Sequence, residues 1–323
     1  MKQVTVRVPH RISGFFEIVD HVLPENPTME ELATIGSRGG GPCLSLCGET
    51  MIKLQANAKD GRRKIFIDGV DQTRLAGTTI SVLNRMLPDE QSYDIEISHE
   101  FPLLSGAGYG SSGSGAIGVA VGLNMLLNLG YSLDMCGKFA HCAEVENKTG
   151  LGTVGGQITG GCTISMVPGY PFKFNSILLP PGLKIACGTR GGISTSQMLS
   201  DKEVRANVIK AGRVAMKSID THYSIENFMK TAIRFVNNAW VPLSEELDLG
   251  DVINIMDDLN QSDKHDILGA SMNQMGRSVY CIYRKQKTLE SQIIDKFNQN
   301  EFKEIKICDF SLKGPEIIQI KEM

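Results

Sequence analysis

Hydrophobic and polar residues alternate from the start of the chain. In "QVTVRV", Val4, Val6 and Val8 share one side of an extended segment, which is the two-residue period of a strand. The same reading applies to "CLSLCG", "TMIKLQAN", "RKIFIDG" and "SYDIEIS", and Asp60-Gly61 is a hairpin-turn signal between two of them. "TRLAGTTISVLNRML" switches to helical spacing between the last two strands. Residues 21–36 form a polar connection with two prolines, suited to irregular chain or a short helix. The glycine- and serine-rich "PLLSGAGYGSSGSGAIG" then runs straight into an apolar helical segment, "AIGVAVGLNMLLNLG". After a turn at "GYSLD", Ser132 can cap a second helix reaching about Lys148, and "GGCTISMVP" is a strand closed by Pro168-Gly169.

Past "PPGLK" the pattern changes. "SDKEVRANVIKAGRVAMKSI", "SIENFMKTAIRFVNNA", "DVINIMDDLNQ" and "TLESQIIDKFNQ" have helical spacing. "GLKIACGT", "SVYCIYR", "EIKICDFS" and "EIIQI" read as strands. A chain of 323 residues favours two domains, here 1–179 and 180–323.

Composition narrows the partners. With 41% hydrophobic and 21% charged residues the chain is an ordinary globular one. A net charge of -3 gives no electrostatic reason to expect nucleic acid or an anionic membrane. The longest apolar run is broken by Gly122, Asn124 and Asn128, too early to span a bilayer, and the opening strand pattern is not that of a signal peptide. Eight cysteines without a CxxC pair, mostly in apolar runs, read as reduced thiols of a cytoplasmic protein.

The glycine loop carries the candidate chemistry. A helix begins with unsatisfied N–H groups and partial positive charge, and glycines let its backbone approach a phosphate. Ser111, Ser112 and Ser114 add hydroxyls. No lysine follows the glycines as in a Walker A loop, and the dinucleotide fingerprint is not in place. Alone, the loop equally suits a flexible linker or a close helix crossing. The following helix runs back toward it, and His141, Glu144 and Lys148 share one face. A carboxylate and a hydroxyl beside phosphates make a Mg²⁺ site; a solvated face with a Glu144–Lys148 pair is the plainer alternative.

"SGAGYGSSGSGAIG" resembles the central motif of the GHMP kinases. Within that superfamily, "RISGFFEI", "GSRGGGPCLSL", "HCAEVENKTGLGTVGGQ" and "GGISTSQML" resemble stretches of the archaeal pantoate kinases, and "ASMNQMGRSVYCIY" stands where the third motif falls. The resemblance implies an α+β GHMP kinase fold, with a ribosomal-S5-like N-terminal domain and a ferredoxin-like C-terminal one. It implies ATP on Gly106, Gly108, Gly110, Ser111, Ser112 and Gly113, and Mg²⁺ on Ser112 and Glu144. It implies a small hydroxy acid held by Ser37 and His141 in the cleft, and it is compatible with a homodimer.

Three positions depart from those relatives. Thr153, in "GLGT", stands where an aspartate base is usual, so its role would be a hydrogen bond to the acceptor or packing. Ser165 replaces a substrate-holding arginine, and "PHRISGFF" places Arg11 where a histidine is usual. These changes suggest an acceptor whose charge lies elsewhere. An offshoot of the family phosphorylates mevalonate 3-phosphate on its 5-hydroxyl, and Arg11, Arg38 and His10 could bind that extra phosphate. Pantoate is the alternative acceptor, and a non-catalytic ATP-binding protein is the alternative of another class. For Arg11 the plain reading is a surface salt bridge.

Overall fold

The opening alternation builds the first strand, β1 (Lys2–Arg11), with Val4, Val6 and Val8 fully buried. The structure, a computed structural model, describes residues 1–56, 61–87, 92–193, 198, 200–262 and 265–322. The proposed turn at Asp60 and most of "GGISTSQML" lie outside them. After β1 come β2 (Phe15–Val19), α1 (Met29–Thr34) and β3 (Gly36–Ala56). Helix α1 begins in a capping box, with Thr28 and Glu31 each accepting from the other's backbone N–H.

Strand β3 corrects the sequence reading. "CLSLCG" and "TMIKLQAN" are not two strands but parts of one, 21 residues long. Its first part pairs with β2 and with β7 (Cys162–Ser165), its second with β1 and β6 (Tyr93–Glu100), so the backbone stays extended through Gly48. The other elements of this half are β4 (Arg63–Ile67), β5 (Val70–Asp71), α2 (Gly77–Met86), α3 (Ser111–Leu127), α4 (Leu133–Glu146), α5 (Thr153–Thr159) and β8 (Phe174–Ile177). Central α3 is buried almost all round, lying against β1 and β3 on one side and α2 and α4 on the other. It sits so close to the sheet that a Cβ at Gly118 would stand 2.3 Å from Thr50 Oγ1.

The second sheet has the order β10-β11-β9-β12, from β9 (Leu183–Gly192), β10 (Ile267–Asn273), β11 (Gly276–Arg284) and β12 (Glu304–Cys308). Helices α6 (Lys202–Ile219), α7 (Ile225–Ala239), α8 (Gly250–Gln261) and α9 (Lys287–Gln299) accompany it. Helix α7 packs on β10, and α6 packs on α7 and across to β2. The last strand, β13 (Glu316–Glu322), returns to the first sheet and pairs antiparallel with β1. We therefore propose the division at 179/180 with residues 316–322 assigned to the first unit. Among the described residues no helix is long and apolar enough to cross a membrane. All eight cysteines are free thiols, and all but Cys47 are buried.

Candidate active site

A cavity of about 560 Å³ opens where the glycine loop, the end of α4, the first residues of α5 and the β10–β11 turn meet. The loop turns through Gly106, Gly108 and Gly110 at φ of +81°, +87° and +70°, a region that favours glycine. Gly110 caps α3, and its carbonyl accepts from Ser114 N at 2.9 Å. The loop is docked on the second sheet. Ala107 O accepts from Asn273 Nδ2 at 3.3 Å and from Ser278 Oγ at 3.0 Å, and Tyr109 Oη lies 3.1 Å from Thr189 Oγ1. A Cβ at Gly108 would stand 2.4 Å from the Gln274 carbonyl oxygen.

Gly106, Gly108, Gly110, Ser111 and Ser112 line the cavity. The Ser111 hydroxyl is buried and has no hydrogen-bond partner among the described residues, as a group awaiting a ligand would be. Two expected cradle residues do not line it: Ser114 donates to Val8 O at 3.3 Å, and a Cβ at Gly113 would meet Gln157 Oε1 at 2.6 Å and Glu144 Oε2 and Val154 Cγ2 at 3.4 Å.

Glu144 lies beside this cradle, 2% exposed, and is the one carboxylate among the described lining residues. Burial raises its pKa, while hydrogen bonds from Ser112 and Thr149 pull it down. Thr149 Oγ1 donates to Glu144 Oε1 at 2.7 Å and lies 3.0 Å from Thr78 Oγ1, which accepts from Ser112 Oγ at 3.4 Å. A Cβ at Gly150 would stand 2.1 Å from Glu144 Oε2 and crowd it. Among the described residues there is no cluster of three or more His, Cys, Asp or Glu to hold a metal. One buried carboxylate with adjacent hydroxyls suits a hard cation that takes its other ligands from phosphates and water. Thr149 and Thr78 escaped the sequence reading. The signal for Thr149 was its place just past the α4 end, where the chain folds back on Glu144.

At the other end the cavity is lined by Arg11, Ser37, Thr153 and Ser165. Arg11 is 3% exposed, and its guanidinium donates to Thr163 Oγ1 at 2.8 Å and Thr163 O at 2.9 Å. It has no ion-pair partner among the described residues, so the surface salt bridge weighed for it is not what forms. Arg11 lies over α5 so tightly that a Cβ at Gly156 would fall 1.1 Å from Nη1. Ser165 stands two residues beyond Thr163 on β7, on the same face, and its hydroxyl donates to Val167 O at 2.8 Å.

Residues 74–161 match the family model for the GHMP kinases N-terminal domain. Pantoate kinase of Methanocaldococcus jannaschii is 27% identical over 285 residues, 88% of this chain and 94% of that protein. Pantoate kinase of Thermococcus kodakarensis is 26% identical over 282 residues, 87% of each chain. A solved structure described as a phosphotransferase related to the CoA biosynthesis pathway superposes with a TM-score of 0.82 at 23% identity, covering 98% of both chains. Residues 74–161 thus carry a GHMP kinases N-terminal domain, and most of the chain is similar to pantoate kinases. Its fold is the α+β GHMP kinase fold, and it is a phosphotransferase acting on a hydroxyl group.

Three expected acceptor ligands are placed elsewhere. Arg38 does not line the cavity; its guanidinium pairs with Glu17, with Nε at 3.0 Å from Oε2. His141 lies behind the wall, with Nε2 2.9 Å from Ile35 O and its ring edge-on to Phe172. Burial lowers its pKa to about 4. His10 is likewise buried, with Nδ1 3.1 Å from Tyr109 O, and burial lowers it to about 4. Both rings are neutral near pH 7 and carry no charge to an anion. The spacing placed His141, Glu144 and Lys148 on one helical face, but the helix ends at Glu146, so Lys148 is not on it, and His141 points to the core while Glu144 lines the cavity. Lys148 lies past the helix end, lines the cavity and makes no pair with Glu144.

Proposed function

We propose that this GHMP kinase transfers the γ-phosphoryl group of ATP to the primary hydroxyl of a small branched acid, with mevalonate 3-phosphate as the acceptor. ATP would lie with its phosphates on the loop at Gly106–Ser112 and its base toward the apolar end near Ile67, Leu75 and Phe101. Mg²⁺ held by Ser112 and Glu144 would neutralise phosphate charge. Phosphoryl transfer is mostly positioning and charge stabilisation, so Thr153 in place of a base does not forbid it.

The observation that carries the reading is Arg11. A buried guanidinium with two neutral partners and no carboxylate among the described residues is costly unless a ligand supplies the anion. An acidic group is also missing from the acceptor end, where Thr153 and Ser165 are neutral, which eases entry of a multiply charged acceptor. Arg11→Ala should raise the KM for the phosphorylated acceptor about tenfold or more, since ~1.4 kcal/mol is a factor of ten, and leave the KM for ATP nearly unchanged. An unchanged acceptor KM would remove the basis of the assignment.

Pantoate is the second reading, favoured by the relatives that are pantoate kinases. Arg11 and Ser165 share one wall, so a cation moved from the one position to the other could still grip a single carboxylate. With Arg38 and His10 withdrawn, the extra phosphate would depend on Arg11 alone at that end.

A further inference from the structure

Lys148 has the spacing of a helical ion pair with Glu144, and the structure gives it a different setting. Its backbone adopts a left-handed conformation, φ +55°, one residue past the Asn147 cap of α4. Neighbouring bonds hold it there. Lys148 N donates to Val145 O at 3.2 Å, and Thr149 N to Glu144 O at 3.0 Å. Asn147 Nδ2 donates to Ala143 O at 2.8 Å and Ser81 Oγ at 2.9 Å. A left-handed residue just past the cap is a common helix ending, and here it turns the chain back so that Thr149 meets Glu144. The nearby Glu146 is already paired with Arg85 at 3.0 Å. Among the described residues the Lys148 ammonium has no ion pair. Of the Arg and Lys side chains among the described lining residues, Arg11 is anchored at Thr163, while Lys148 is exposed and next in the chain to Thr149, whose hydroxyl lies 3.0 Å from Thr78 Oγ1.

We propose that Lys148 is a catalytic residue whose ammonium binds the γ-phosphoryl oxygens during transfer. This rests on the kinase reading above. In the step, the acceptor oxygen forms a bond to the γ-phosphorus, and the bond from that phosphorus to the bridging oxygen breaks. The electron pair leaves on the β-phosphate of ADP. The hydroxyl proton passes to an oxygen of the transferred phosphoryl group, because Glu144, the one carboxylate among the described lining residues, is at the cation site. Lys148 offsets the negative charge shared by the entering, transferred and leaving oxygens, a role a point charge on a flexible stem can follow.

The test separates ATP from ADP. Calorimetry would measure binding of a non-hydrolysable ATP analogue and of ADP, each with Mg²⁺, to wild type, Lys148→Met and Lys148→Arg. Lys148→Met should weaken the analogue about tenfold or more and leave ADP within about twofold, and Lys148→Arg should recover part of the loss. The kcat of Lys148→Met should fall with the acceptor KM unchanged. Equal weakening of ADP and analogue, or no weakening of either, would overturn the proposal. If wild type itself binds neither nucleotide, the kinase reading fails instead.

Discussion

Glu144 is held by opposing forces, since burial favours its protonated form and the hydroxyls of Ser112 and Thr149 favour the ionised one. A cation beside it would tip the balance to the carboxylate. Glu144→Gln keeps the shape and removes the charge, so turnover should fall at least ~10²-fold while circular dichroism and melting stay near wild type. The sign of the pH effect follows from the raised pKa. As pH falls, protons compete for Glu144 at a higher pH than for an ordinary carboxylate, and the apparent Mg²⁺ affinity should weaken there. A Mg²⁺ titration at several pH values would show this, and Glu144→Gln should abolish that dependence. Thr153 is a lining hydroxyl that cannot act as a base near neutral pH. Thr153→Ala should cost no more than ~1.5 kcal/mol in kcat/KM, the scale of one ordinary hydrogen bond. Complete loss of activity in a folded Thr153→Ala protein would assign it a larger role.

The elements that position these residues were unequally legible. Helices α3 and α4 were readable because one follows a glycine loop and the other opens at Ser132, which accepts from Met135 N at 3.1 Å. Strands β2 and β8, helix α5 and strand β10 were not, because they are short or lack a full period and owe their form to pairing with neighbours. That matters for the site, since α5 carries Thr153 and the β10–β11 turn carries Gln274 against the loop. The loop's function depends on this docking as much as on its own flexibility. Gly108→Ala would have to place a Cβ 2.4 Å from the Gln274 carbonyl oxygen and adopt φ +87°. It should raise the KM for ATP and lower Tm. Gly182→Ala is the matching control, with φ +79° but no atom within 4 Å of the added Cβ, so it bears the conformational cost alone and should spare the KM. Equal KM effects in the two variants would show that docking is not what shapes the loop.

At the scale of the whole molecule, the cavity is lined from both sheets, and the chain visits the first of them twice, with β13 closing back onto β1 after the second sheet is complete. The phosphate end was legible because glycines, hydroxyls and one carboxylate fall close together in sequence. The acceptor end was only partly so. Arg11, Ser37, Thr153 and Ser165 converge from four separate stretches, while Arg38, one residue from Ser37, points across the strand to Glu17. Neighbouring strand residues face opposite sides, so adjacency in sequence placed Arg38 on the wrong one. The anion that Arg11 receives decides the acceptor. Purified protein with Mg-ATP should therefore be given mevalonate 3-phosphate, unphosphorylated mevalonate and pantoate under identical conditions, and kcat/KM compared. The expected order puts mevalonate 3-phosphate first, with pantoate poor and mevalonate much weaker than its phosphate. If pantoate has the highest kcat/KM, the acceptor assignment is contradicted and Arg11 serves a single carboxylate.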